Sequence, residues 1–233
     1  MFYTGTSHAE NGKVQRIGAA TSPDLTTWSR VGDVALVEAD PTWYELYDPE
    51  IWYEQAWRDP WVARDDTTGV FHMFVTARSP TGPGATRGVV GHATSTDVLT
   101  WTVGPPVTEP GGFGHLEIPQ VVEAGGRFHL VFASPAASPG VAAAHPETAI
   151  AGTHVLSARA LIGPYEWNTH RLLDGDASGL RYGGRLVDTG LGRQLLTWLQ
   201  FAPDGSFVGE LDDPVPVEVR DGQLWVDREA PIR

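Results

Sequence analysis

The sequence predicts an all-β fold built from repeated antiparallel blades, and three observations carry that prediction. Helical periodicity is nearly absent. Short apolar or alternating runs bounded by Gly, Pro, Asp and Asn recur instead, such as Val70-Phe71-His72-Met73-Phe74-Val75 and Phe128-His129-Leu130-Val131-Phe132. The segment Ala20-Thr21-Ser22-Pro23-Asp24-Leu25-Thr26-Thr27-Trp28 also returns as Ala93-Thr94-Ser95-Thr96-Asp97-Val98-Leu99-Thr100-Trp101, a shared Ala-Thr-Ser-x-Asp-x-x-x-Trp. The repeat period, roughly 55 to 75 residues, exceeds the usual ~40–50 of a propeller blade and implies blades with long insertions.

Taken in order, the elements read as follows. Met1-Phe2-Tyr3-Thr4-Gly5 looks like the middle of a blade with no inner strand ahead of it. The expectation is therefore a single β-propeller domain over residues 1–233, lacking its first blade and part of the second. Inner strands are expected to open near Trp57, Leu116 and Tyr182. β-rich stretches at Met1 to Thr6, Phe71 to Ala77 and Phe128 to Ser134 precede the copies of the repeat, the third of which is a weaker one from Ser157 to Trp167. A fourth stretch, Gln194 to Phe201, has no clear partner. Asp24 and Asp97 are expected to hold turns through side-chain bonds to backbone, and Trp28 and Trp101 to pack between blades.

Composition narrows the function classes. Asp plus Glu number 29 against 16 Lys plus Arg, a net charge of −13, so the chain lacks the basic footprint that nucleic acid requires. It has no polybasic stretch for an anionic membrane, no apolar run long enough to span one, and no basic-then-apolar start of a signal peptide. The absence of cysteine excludes disulfides and thiolate metal sites. The eight histidines show no ligand spacing, and His72 and His129 fall at matching places in two repeats, which argues for structural roles. Asp65-Asp66 and Asp212-Asp213 read as turns. No metal and no cofactor is expected. Nine Trp, eight Phe and six Tyr suit stacking on sugar rings and packing in sheet cores alike.

Two segments carry candidate chemistry: Trp57-Arg58-Asp59-Pro60-Trp61-Val62 and Leu116-Glu117-Ile118-Pro119-Gln120-Val121. With Pro60 aligned to Pro119, each is expected to set a carboxylate just before an inner strand, at the mouth of a central channel. Two carboxylates facing one pocket are what glycoside hydrolysis needs: one protonates the leaving oxygen while another works at or near the anomeric carbon. Glu117 sits between Leu116 and Ile118, and apolar groups crowding it would favour its protonated form. Asp59, beside Arg58, is expected to stay ionised and to accept hydrogen bonds from sugar hydroxyls. The plainer alternatives are a turn residue before proline for Asp59 and a surface carboxylate for Glu117. Arg58, His115, Tyr182 and Arg185 are secondary candidates for binding substrate, although Tyr182-Gly183-Gly184-Arg185 also suits a tight strand start. Trp57 and Trp61 either stack on sugar or pack the core.

Trp57-Arg58-Asp59-Pro60 resembles the Arg-Asp-Pro motif of glycoside hydrolase family 32, the invertase and fructanase group. Leu116-Glu117-Ile118-Pro119 resembles that group's Glu-Cys-Pro motif, with Ile118 in place of Cys. The Ala-Thr-Ser-x-Asp-x-x-x-Trp copies are similar to blade segments of the wider superfamily that includes family 43. The resemblance implies a five-bladed propeller and retaining hydrolysis of β-fructosides or related furanosides, with a carbohydrate as the partner. It makes Asp59 the transition-state stabiliser and Glu117 the general acid/base. The group's nucleophile, an aspartate in a Trp-x-x-Asp-Pro context of the first blade, has no counterpart before Phe2-Tyr3 and is expected upstream. Asp48-Pro49 imitates it but falls between blades. An inverting furanosidase of the family-43 kind and a sugar-binding propeller without catalysis are the alternatives.

Overall fold

The structure, a computed structural model, describes residues 1–202 and 204–228. The chain divides into two compact units. One is Met1–Pro110 with Gly114–Pro119, and the other is Gly111–Phe113 with Gln120–Arg233.

The first unit holds two antiparallel meanders. Strands β1 (Phe2–Gly5), β2 (Arg16–Thr21) and β3 (Ser29–Arg30) form a three-stranded sheet in chain order. Strands β4 (Arg58–Arg64), β5 (Phe71–Arg78), β6 (Gly88–Ser95) and β7 (Thr102–Gly104) form a four-stranded one. β5 shows no polar alternation because it is a middle strand, buried from His72 to Arg78. Ile17, Val37, Tyr44, Trp57, Met73, Val75 and Val89 form this unit's core.

In the second unit, β8 (Glu117–Ala124), β9 (Arg127–Ser134), β10 (Ala151–Ala158) and β11 (Arg171–Asp176) make another chain-order sheet, with the first three residues of β8 counted in the first unit. A last sheet joins β12 (Arg181–Thr189), β13 (Gly192–Phe201), β14 (Phe207–Leu211), β15 (Val215–Arg220) and β16 (Gln223–Val226); both β14 and β15 pair with β13. Val131, Val155, Leu186, Leu195 and Leu224 lie in its core.

The repeated segment forms the same turn twice. Asp24 Oδ1 accepts the backbone N–H groups of Thr26 (2.9 Å) and Thr27 (2.7 Å), and Ser22 Oγ accepts that of Leu25. Asp97 Oδ1 accepts those of Leu99 (2.8 Å) and Thr100 (2.7 Å), and Ser95 Oγ that of Val98. Leu25 and Val98 take the same left-handed φ, 63° and 61°. Trp101 packs edge-on against Phe2 of the neighbouring sheet. Trp28, contrary to expectation, stays 39% exposed. The weak third copy lacks the aspartate and does not form the turn: the Ser157 N–H goes to Thr169 Oγ1, and Trp167 stacks on Phe113.

The expected inner strands open within a residue of their predicted places, and each is irregular at its start. Asp59 (φ 59°), Ile118 (φ 45°) and Gly183 (φ 65°) hold left-handed backbone at corresponding positions of β4, β8 and β12. The pairing register of β4 shifts between Arg58 and Trp61, and that of β12 between Tyr182 and Arg185, as at β-bulges. For Ile118, a β-branched residue, this conformation is strained by roughly 1–3 kcal/mol.

Candidate active site

The bulges aim the side chains of interest. Asp59 and Glu117 were expected at equivalent points just before their strands. Instead they are the second and first residues of β4 and β8. With the prolines aligned, Asp59 matches Ile118 and Arg58 matches Glu117, so the carboxylates are offset by one residue and an arginine faces a glutamate.

That offset lets the two strand starts interlock. Arg58 Nη2 donates to Glu117 Oε1 at 2.6 Å, and Arg58 Nε lies 3.4 Å from Asp59 Oδ2. Asp59 Oδ2 also accepts the backbone N–H of Ile118 at 3.2 Å and the Thr76 hydroxyl at 2.9 Å. Thr76 Oγ1 lies 3.1 Å from the Leu116 carbonyl as well, so it ties both segments to β5. The Asp59 N–H goes to Thr4 Oγ1 on β1. The Asp59 and Glu117 side chains retain 22% and 23% exposure, against 14% for Arg58. The cluster is thus open to a ligand while its arginine is largely enclosed.

Glu117 stands against a guanidinium, that of Arg58. Burial disfavours the Arg58 charge, but Glu54, Glu117 and Asp59 together outweigh burial and hold Arg58 above its ordinary range. His115 is buried at the same place. Burial first, then the Arg58 and Arg78 charges, push its imidazolium pKa down to about 2, so the ring is neutral. The Trp52 indole, a donor only, gives its N–H to His115 Nε2 at 3.1 Å. The ring proton therefore sits on Nδ1, which lies 3.8 Å from Glu117 Oε1. Trp52 is itself clamped under Arg78, whose guanidinium carbon lies 3.7 Å from the ring centroid. Arg78 also binds Glu45 and the Gly114 carbonyl.

The structure thus brings Arg58, Asp59, His115 and Glu117 together. Trp57 it withdraws into the core: the side chain is fully buried against Tyr44, which removes it as a sugar-stacking residue. Tyr182 and Arg185 stand in the second unit, at the start of β12. There Gly184 donates its N–H to Thr153 Oγ1, and a Cβ on it would come within 2.3 Å of that hydroxyl, so this strand start uses glycine for close packing. Asp48 is exposed and holds a turn through the Glu50 N–H. Of the paired aspartates, Asp65 holds the expected turn by accepting the Thr67 N–H, and Asp212 pairs with Arg181 and Arg228. An open cleft of about 310 Å³ elsewhere in the first unit, lined by Tyr3, Arg16, Arg30 and Asp33, includes none of the candidate residues. Among the described residues no three His, Asp or Glu side chains gather to hold a metal ion, and no helix is long and apolar enough to cross a membrane.

The sequence reading missed Glu54, Gln15, Trp52 and Thr76. Glu54 precedes Arg58 by four residues in a stretch with no helical pattern to relate them, and Gln15 reaches Arg58 across 43 residues. Neither relation leaves a local signal.

The strand arrangement and the paired carboxylates define an all-β chain of the propeller type with an open acidic cluster. No protein-family model and no curated protein matches the sequence, but solved structures match the fold. The chain is similar to the inulosucrase from Halalkalicoccus jeotgali bound to kestose, with a TM-score of 0.73 and 21% identity over 97% of this chain and 66% of that one. It is similar to the Bombyx mori GH32 beta-fructofuranosidase, of which a D63A mutant is known in complex with sucrose, with a TM-score of 0.68 and 14% identity over 97% of this chain and 47% of that one. Bacillus subtilis levansucrase gives a TM-score of 0.67 and 15% identity over 99% and 65%. The chain therefore spans between about half and two thirds of the length of these proteins. At such identities the likeness shows the fold.

Proposed function

We propose that this chain belongs to a glycoside hydrolase acting on β-fructosides or related furanosides by retention, within a five-bladed propeller of the family-32 kind. One observation carries the reading: the two motif carboxylates are bound to each other's segments, Asp59 to the Ile118 N–H and Glu117 to Arg58. The solved neighbours named for fructosyl enzymes support the substrate class. In this reading Glu117 gives its proton to the glycosidic oxygen as the bond to the anomeric carbon breaks. As a carboxylate, it then takes a proton from the water that releases the sugar. Asp59, fixed by donors on one of its oxygens, accepts hydrogen bonds from sugar hydroxyls that strengthen as positive charge develops on the ring. In a retaining reaction a further carboxylate attacks the anomeric carbon, a part that neither Asp59 nor Glu117 takes in this reading. His115 and Arg58 orient Glu117.

The test uses the protein from its natural source and the 233-residue chain, each with sucrose and kestose. Glu117→Gln is expected to lower kcat by about 100-fold or more, and Asp59→Asn comparably, with unchanged circular dichroism. The first sugar released should keep its anomeric configuration. Inversion would transfer the protein to the other furanosidase class. Sugar binding that survives Glu117→Gln, with turnover in neither preparation, would make it a binding propeller.

A further inference from the structure

The guanidinium of Arg58 is divided among three carboxylates, and its shortest contacts run to two of them. Nη2 meets Glu117 Oε1 at 2.6 Å, Nη1 meets Glu54 Oε1 at 2.7 Å, and Nε faces Asp59 Oδ2 at 3.4 Å. Glu54 stands outside both motifs, and nothing in the proposed mechanism uses it. Its side chain is only 15% exposed, yet it is fixed at both oxygens: Oε2 accepts the Gln15 side-chain amide at 2.8 Å. Gln15 Oε1 in turn accepts from Arg58 Nη1 and from the backbone N–H of Trp57, directly ahead of β4. The backbone beside Glu54 is pinned too, since the Gln55 N–H bonds to the Lys13 carbonyl and the Gln15 N–H to the Gln55 carbonyl. Glu54 therefore has a built, enclosed seat, and what it holds from there is one arm of Arg58.

A planar guanidinium with a free outer edge turns two parallel N–H groups onto a single carboxylate. With Nη1 taken by Glu54, Arg58 offers Glu117 a single N–H rather than a fork. We propose that Glu54 is a positioning residue of this site, which holds Arg58 to one contact with Glu117 and so leaves Glu117 able to exchange its proton. The inference rests on the reading of Glu117 as the acid/base.

The test compares Glu54→Ala and Glu54→Gln with the wild type, each in the protein as its natural source makes it, by two readouts. The first needs no activity: nitrogen–proton NMR of the Arg58 guanidinium follows rotation about its Nε–Cζ bond. Rotation should be slow in the wild type, at least tenfold faster in Glu54→Ala, and slow again in Glu54→Gln, whose amide oxygen still accepts from Nη1. The second is steady-state kinetics on sucrose. Glu54→Ala should lower kcat about tenfold or more with KM within about twofold, and Glu54→Gln should recover most of kcat. Equal rotation in all three proteins overturns the proposal, as does a change in KM alone, which would make Glu54 a substrate contact. If the wild type and Glu117→Gln are equally inactive, the hydrolase reading falls. The guanidinium measurement would still decide whether Glu54 holds Arg58.

Discussion

At the scale of single residues, Trp57 shows how neighbouring side chains take opposite fates. Its backbone leads into Arg58 and Asp59, but its ring turns away from them into the core. The ring has room there because Gly91 has no side chain: a Cβ on Gly91 would come within 2.8 Å of the Trp57 ring. Trp57 Nε1 is buried without a hydrogen-bond partner. Trp57→Ala should therefore cost about 3–5 kcal/mol in urea denaturation. Trp57→Phe should cost clearly less, because it also removes an unpaired N–H that burial penalises by about 1–3 kcal/mol. Sugar affinity of the folded Trp57→Phe protein should match the wild type. A tenfold loss of affinity with little loss of stability would instead put the ring against substrate. The sequence left this choice open because a tryptophan beside a catalytic motif has the chemistry for either role. What decides it is a glycine on another strand, a relation that no local pattern records.

At the scale of elements, the repeated turn was legible because its chemistry is local. A serine, an aspartate two residues on, and the next N–H groups are enough to build it, and the order Ser-x-Asp states it outright. The backbone bonds to Thr100 and Leu99 hold the Asp97 carboxyl down to about 2, and the equivalent bonds depress Asp24 as well. A carboxylate with a depressed folded-state value adds stability that is complete above its ordinary titration near 3.8 and is lost as the pH falls through about 2. Asp97→Ala should accordingly lower Tm by a few degrees at pH 7, and the gap to wild type should close as the pH approaches 2. A gap independent of pH would mean that packing, not the ionised cap, holds the turn. The starts of the inner strands were less legible. Their prolines marked the right places, but the bulges that offset Asp59 from Glu117 depend on left-handed backbone at Asp59 and at Ile118, a β-branched type that rarely adopts it. The offset, and with it the Arg58–Glu117 bond, follows from tertiary contacts such as Asp59 to the Ile118 N–H, which override local preference.

At the scale of the whole molecule, each unit holds a close pair of histidines, both buried in the first and one buried, one half-buried in the second. In the first, His72 Nδ1 and His92 Nε2 lie 2.9 Å apart with the rings stacked at 9°. In the second, His154 Nδ1 and His170 Nε2 lie 3.1 Å apart with the rings at 24°. In each pair one ring nitrogen donates and the other accepts, which requires the accepting ring to be neutral. Burial, with each neighbour's charge added, pushes His92 down to about 4 and His154 to about 3, and burial lowers His72 and His170. The unfolded chain takes up protons near 6.5 while the folded one resists, so stability is complete above 6.5 and drains away as the pH falls toward 4. His92 alone should account for on the order of 3 kcal/mol by pH 4, a large share of the 5–15 kcal/mol that holds a typical domain. This loss begins before the carboxylate losses, which set in below about pH 5. Tm should therefore fall steeply between pH 6.5 and 4, before any aspartate cap is protonated. His92→Phe, which keeps a ring beside Phe74 but cannot titrate, should flatten that slope even if it lowers Tm at pH 7. A wild-type Tm that holds level down to pH 4.5 would show that the paired rings accept a proton in place, and that the acid limit of the fold is set by its carboxylates alone.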